Sequence, residues 1–548
     1  MKVYALLKFL KFPLLGLLLT VCPGCQKEKL PNILFIITDQ QSINTIGAYG
    51  NEICKTPNID RIADRGMIFR QCHVASYACS PSRASILTGL YSHNHGVVTN
   101  EVPLHESLPS LGYLLKKEGY ATAYFGKSHL GGYMRRNTST EPEYTGKATR
   151  DRPWNGNWQY IRTDTIPDYE PKATDYVISL ADGHTFQAME GGTGEDEACL
   201  GFDYWIGGWQ QYRDFLSFNG YDSIVANNHT VGGHGTLYAP VRDKKFDDSL
   251  HAWSIIPEKM HQEAFFVDEA LTYLKDTWTR EKPFGMFLSF YGPHNPILPP
   301  RPWDEMYPLE DIPLPATIGD QRKIGGTGKY RRDQWSDDQF RDYIRRYWGF
   351  VSFIDAQIGE LLNGLEAMGE LENTIIVFTS DHGDMAGGHG NIWKSTLCSW
   401  DELMRVPLIV SYPSIVSIKS ASNALVSNMD FLPTLLEMIQ AEIPQTIDGK
   451  SFAAILKDPG MEHRDIIFTS VMGMNFIATT REWKYNLNLV AGHPDELYDR
   501  KVDPDEMNNL INDPGHIEVA EWMKDQILTW LSETGHPYAL EIANTSKD

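Results

Sequence analysis

After Pro31 the chain runs NILFIIT and stops at Asp39-Gln40. A run this apolar and β-rich, without polar residues at alternate places, buries both faces of a strand. It belongs inside a parallel sheet covered by helices. The rest of the chain repeats the pattern. TPNIDRIADRG reads as a helix closed by Gly66, and SLPSLGYLLKKEGY as an amphipathic helix with Leu108, Leu111, Leu114 and Leu115 on one side. The strand ATAYFG follows. Later, HQEAFFVDEALTYLKD leads into FGMFLSF, YWGFVSFIDAQIGELLNGLEAMG leads into TIIVFTS, and PLIVSY adds another strand. Strands alternating with helices imply an α/β unit with a mostly parallel central sheet flanked by helices.

Past about residue 440 the pattern changes. DIIFTS, MNFIATT and WKYNLNL are short strands and EVAEWMKDQILTWLSE is a final helix, the makings of a small antiparallel sheet with a packed helix. A length of 548 residues allows about three or four average domains. The patterning favours two instead: a large unit at 31–440 and a C-terminal α+β subdomain at 441–548. The stretch around 131–247 is rich in Gly, Asn and aromatics, with Trp154, Trp158, Trp205 and Trp209, and reads as long loops and insertions.

Residues 1–25 combine lysines, a short apolar run and small residues, the layout of a bacterial export signal. The run is too short to span a bilayer as a helix. Gly24-Cys25 before Gln26-Lys27-Glu28-Lys29 resembles a lipoprotein cleavage site, with Cys22 where an aliphatic residue is usual. The expected location is the periplasm or the outer membrane of a Gram-negative bacterium, with membrane contact only through a lipid anchor. A net charge of −22 argues against nucleic-acid binding, which needs clustered Lys and Arg. Cys54, Cys72, Cys79, Cys199 and Cys398 are widely spaced, so no zinc site is suggested. If Cys79 is chemically consumed, the other four could pair, in an order the sequence does not give.

In an open parallel sheet, ligands bind beyond the carboxyl ends of the strands. Asp39 and Gln40 follow NILFIIT, Lys127 and His129 follow ATAYFG, His294 follows FGMFLSFYGP, and Asp381 and His382 follow TIIVFTS. A lone histidine after a strand is more often a hydrogen-bonded structural residue. Four strand ends aiming carboxylates, histidines and a lysine at one crevice point to chemistry instead. Two carboxylates with an amide oxygen suit a hard divalent cation, for which His382 is the less typical ligand.

The segment CSPSRASILTG at 79–89 is the most specific. It resembles the signature of the formylglycine-dependent sulfatase family, CxPSR followed by TG. The resemblance continues through GKSHLG at 126–131, PHNP at 293–296, SDHGDMAGGHG at 380–390 and DELYDRKVDPDE at 495–506, spanning Pro31 to about Pro514. It implies an alkaline phosphatase-like fold for the 31–440 unit as catalytic domain, and a nucleophile made by oxidising Cys79 to formylglycine. By similarity, Asp39, Gln40, Asp381 and His382, with an oxygen of modified Cys79, hold one Ca²⁺, or Mg²⁺. Many members carry two aspartates where this chain has Asp39-Gln40.

The resemblance also implies that Arg83 and Lys127 stabilise the formylglycine and that His129 hydrogen-bonds its hydrate and later removes a proton. His294 and Lys394 match residues that bind sulfate and protonate the leaving alcohol, Lys394 sharing that work if its pKa is lowered. The implied partners are a sulfated carbohydrate and a formylglycine-generating or anaerobic sulfatase-maturating enzyme. Tryptophans and tyrosines of the 131–247 insertion could stack on sugar faces, though each is as readily a core residue. The implied reaction is sulfate ester hydrolysis, with phosphonate monoester or phosphodiester hydrolysis as the rival. A catalytically silent glycan-binding lipoprotein is a second rival.

Overall fold

The computed structural model describes residues 30–130 except 101, 103 and 105–107, the strands at 161–162, 176–179 and 185–188, residues 200–207, and scattered residues to 221. From 253 to 543 it describes all but 323–329, 395–397, 474, 490–492, 537, 538, 540 and 541. The export segment, Cys199, Trp154, Trp158 and Trp209 lie outside these residues.

The first apolar run forms β1 (Asn32–Asp39), buried at every position. It lies in an eight-stranded sheet with β2 (Gly66–His73), β4 (Ala121–Gly126), β8 (Tyr204–Ile206), β9 (Phe284–Pro293), β10 (Thr374–Ser380), β11 (Arg405–Ser411) and β12 (Ser420–Ser427), ordered β12-β2-β11-β10-β1-β9-β4-β8. Strand β1 pairs parallel with β10 and β9, and β9 parallel with β4. Strand β11 alone runs against its neighbours. Aromatic side chains fill one face: Phe287 stacks on Phe35 at 4.7 Å and on Tyr124 at 5.0 Å. Trp205 continues that row at 4.2 Å from Tyr124 and is buried, so it is a core residue rather than a sugar platform.

Helices α1 (Pro57–Asp64), α2 (Cys79–Thr88), α3 (Leu111–Lys117), α4 (Gln262–Thr272) and α5 (Asp337–Ala367) surround the sheet. Ser336 and Gln339 form a capping box that starts α5. The buried stripe of α5, including Phe350, Ile354, Ile358 and Leu361, joins Phe265 and Phe266 of α4 and the strands in one core. Asp355 of α5 accepts the Asn58 and Ile59 N–H groups at 3.0 and 2.8 Å, satisfying donors that the first turn of α1 leaves open.

Two expectations are corrected. Gly66 does not close a helix but opens β2, because a Cβ there would lie 2.1 Å from Val410 O. The stretch expected as long loops carries the short strands β5 (Ile161–Arg162), β6 (Tyr176–Ser179) and β7 (Thr185–Ala188), ordered β5-β7-β6, and supplies β8 to the main sheet. Cys54, Cys72 and Cys398 are buried free thiols, so no disulfide joins the described cysteines.

The second sheet, β16-β15-β14-β13-β3, joins β13 (Ile467–Val471), β14 (Asn475–Thr479), β15 (Trp483–Asn488) and β16 (Glu496–Asp499) to β3 (Ser76–Tyr77). Helix α6 (Ile517–Glu533) packs on it through Met523, Ile527, Trp530 and Leu531, with Trp530 stacked on Phe468 at 4.8 Å. Residues Pro31–Asp548 form one compact unit. No helix among the described residues is long and apolar enough to cross a membrane.

Candidate active site

The C-terminal sheet reaches the site through β3. Ser76 and Tyr77 pair with Ser470 and Val471, and α2 starts two residues later at Cys79. Cys79 and Arg83 are four residues apart on a helix buried throughout, so both side chains emerge on one face. Ser82 and Asn428 tie that helix down: Asn428 Nδ2 donates to Ser82 Oγ at 2.8 Å, and Ser82 Oγ donates to the Asp381 carbonyl.

Parallel register sets the carboxylates. Thr38 pairs with Ser380, so the next residues, Asp39 and Asp381, stand side by side at the strand ends. Arg83 bridges them, with Nε 2.9 Å from Asp381 Oδ2 and Nη2 3.2 Å from Asp39 Oδ2. Its Nη1 donates to Lys127 O at 3.0 Å and to Ser289 Oγ at 2.7 Å. Lys127 forms a second ion pair with Asp39. Burial disfavours an ionised Asp39, but Lys127, His294 and Arg83 overcome it and hold the carboxyl well below the usual range.

Cys79 Sγ lies at the centre, 3.1 Å from His382 Nε2 and 3.8 Å from Asp39 Oδ1. Lys394 Nζ donates to Cys79 Sγ at 2.7 Å and stands 2.9 Å from His294 Nε2. Burial and Asp39 oppose a Cys79 thiolate, yet Lys394, His382 and Lys127 outweigh them and lower its pKa. Burial favours the neutral form of Lys394, but the Cys79 thiolate and then Asp39 raise its pKa while Cys79 is unmodified. His129 is placed beside Cys79's helix, its carbonyl accepting from Ser80 Oγ at 2.6 Å. Burial, then the charges of Lys127 and Lys394, keep its ring neutral.

The donor set fits a divalent cation. Ligand atoms of Asp39, Cys79, Asp381 and His382 lie within 4.8 Å of one another, all buried. Gln40 adds an oxygen: its Nε2 donates to Asp384 Oδ2, leaving Oε1 buried without a hydrogen-bond partner. An amide oxygen left in that state suits a hard metal ion. His382 Nδ1 lies 2.8 Å from Gly383 O, which turns Nε2 toward the cluster.

All ten residues singled out from the sequence thus converge, with His129 tied in through Ser80. Sequence reasoning passed over Asp384, Ser82, Ser289 and Asn428. Asp384 sits inside SDHGDMAGGHG, where its place within the motif was the available signal.

Comparison with known proteins decides the class. The sulfatase family model matches residues 31–441. The chain belongs to the sulfatase family. A model described as N-sulphoglucosamine sulphohydrolase, C-terminal, matches residues 387–533 of this sulfatase. It is 29% identical to an N-acetylglucosamine-6-O-sulfatase of Bacteroides thetaiotaomicron, covering 96% of this chain and 91% of that one. A multifunctional alkaline phosphatase superfamily protein, PehA, of Trinickia caryophylli is 26% identical, covering 91% and 95%. The solved phosphonate monoester hydrolase of Agrobacterium radiobacter shares the fold, with a TM-score of 0.71, 21% identity, and coverage of 92% and 96%. The chain is a sulfuric ester hydrolase whose family uses a metal.

Proposed function

We propose that this sulfatase is exported and removes O-sulfate groups from carbohydrates. In this reading Cys79 is converted to formylglycine by a maturating enzyme, and one Ca²⁺ is held by Asp39, Gln40, Asp381, His382 and the modified residue. The observation that carries the reading is the row Cys79–Lys394–His294, with spacings of 2.7 and 2.9 Å. It sets one cation beside the nucleophile and a second proton-bearing group on the leaving-group side. The carbohydrate substrate is supported by the Bacteroides N-acetylglucosamine-6-O-sulfatase, which matches nearly the whole chain.

The hydrate of formylglycine supplies one hydroxyl that attacks sulfur and a second that lets sulfate leave as the C=O bond re-forms. When bound, the cation lowers the pKa of the attacking hydroxyl and neutralises sulfate charge. Arg83 and Lys127 hold Asp39 ionised, and Arg83 also keeps Asp381 in place. Lys394 grips a sulfate oxygen. His294, with Nδ1 against Asn295 O and Nε2 facing Lys394 Nζ, passes a proton from Lys394 to the departing alcohol oxygen as the S–O bond breaks. His129, neutral by burial, takes the proton of the second hydroxyl.

The export segment at 1–25 and the Gly24-Cys25 site support a periplasmic or lipid-anchored location. The division into a catalytic domain at 31–440 and a C-terminal subdomain at 441–548 is part of the same proposal. Phosphonate monoester hydrolysis is the second reading, the activity named for the Agrobacterium radiobacter enzyme whose fold this chain shares. Matched panels of sulfated mono- and disaccharides and of phosphonate monoesters, with released sulfate or alcohol measured, test both. Sulfate release from at least one sugar at a higher kcat/KM than any phosphonate is expected. The reverse ranking overturns the assignment.

A further inference from the structure

Glu263 is fully buried on the first turn of α4, outside every motif discussed so far. Its Oε1 accepts from Gly292 N at 2.8 Å and its Oε2 from Tyr291 N at 3.2 Å. These two residues lie where β9 leaves register. From the pair Ile37–Ser289 to the pair Asp39–Pro293, β1 advances two residues while β9 advances four. On the other side, β4 stops pairing with β9 at Gly126–Ser289. The extra residues therefore have ladder partners on neither side, and buried N–H groups need acceptors. The two Glu263 carboxyl oxygens provide both.

The bulge carries the catalytic face of the strand. Two residues past Gly292, His294 Nε2 stands 2.9 Å from Lys394 Nζ. The Tyr291 ring lies 5.9 Å from Lys127 Nζ and stacks on Phe266 of α4 at 5.8 Å. From the opposite side α5 closes the space, since a Cβ on Gly292 would lie 2.6 Å from the Phe350 ring. Burial, offset in part by the two N–H bonds, pushes the Glu263 carboxyl up to about 8. A group so costly to bury has a positional use.

We propose that Glu263 is a positioning residue: its carboxyl group clamps the Tyr291–Gly292 bulge and thereby sets His294 against Lys394 for leaving-group protonation. This rests on the assignment of His294 made above. Glu263→Gln has nearly the same shape but one acceptor oxygen, and its NH₂ meets a backbone N–H donor to donor. A double-mutant cycle with His294→Ala separates positioning from general support. Kinetics of the four proteins on a sugar sulfate are normalised to formylglycine content by peptide mass spectrometry. Glu263→Gln is expected to lower kcat/KM by about tenfold when His294 is present and by less than about twofold when it is absent. Glu263→Asp, which keeps the carboxyl group but withdraws it by one methylene, runs the same cycle if the glutamine variant does not fold. Equal losses in both backgrounds, or no loss in either, overturn the proposal. A His294→Ala loss equal on sugar and aryl sulfates overturns the general-acid assignment instead, and leaves the coupling between the two residues readable.

Discussion

His294→Ala separates protonation of the leaving group from grip on the sulfate. A sugar alkoxide is a poor leaving group and needs a proton as the S–O bond breaks, whereas an activated phenolate leaves unaided. The structure sets the magnitude. General acids are worth about 10²- to 10⁴-fold, but Lys394 Nζ is only 2.9 Å from His294 Nε2 and can still steady charge on the departing oxygen. The loss on a sugar sulfate should therefore lie near the lower bound, about 10²-fold in kcat/KM, or about 2.7 kcal/mol of transition-state stabilisation. On a nitrophenyl-type sulfate the loss should be under about fivefold. The assay is released sulfate from the sugar and released phenolate from the aryl ester, each per formylglycine-containing molecule. Equal losses on the two substrates refute the reasoning, and would make His294 a sulfate-binding residue with Lys394 the better acid.

Chelation should abolish turnover, and Ca²⁺ should restore it better than Zn²⁺, because carboxylate and amide oxygens dominate the donor set; full activity after exhaustive metal removal would refute the site. Burial holds His93 at about 4, with its ring edge-on to Trp530 and 2.9 Å from Thr534 Oγ1. Because that value is below the unfolded one, the unfolded chain takes up the proton first. The stability His93 contributes is full above about pH 6.5 and falls toward about pH 4, at roughly 1.4 kcal/mol per pH unit. Urea unfolding across that window should show His93→Gln with a correspondingly shallower decline, and parallel curves would contradict it.

The sequence was most legible where burial is complete on both faces. β1, β4, β9 and β10 are apolar runs, and the polar residues that follow them could only be strand-end groups. β2 and β12 were hidden because GMIFRQCH and SASNALVS carry polar residues through buried or edge positions, and no simple period survives. Gly66 misled because a glycine after a helix ordinarily ends it, whereas here the constraint comes from Val410, more than three hundred residues away. The site residues were legible through motifs, since the helix of Cys79 and Arg83 and the two acidic strand ends each carry their own local signature. Glu263 was not: its need arises from a register shift in β9, which exists only when β1 and β9 are paired. Asp384 likewise acquires meaning only once Gln40 is seen beside it.

The central claim is that the nucleophile is made from Cys79. Peptide mass spectrometry of protein produced with a competent maturation system, taken on samples of graded specific activity, tests it most directly. The account predicts a Cys79 peptide about 18 Da lighter than the thiol form, as aldehyde replaces CH₂SH, with sulfate release proportional to the converted fraction. Full activity in protein whose Cys79 remains an unmodified thiol would contradict it.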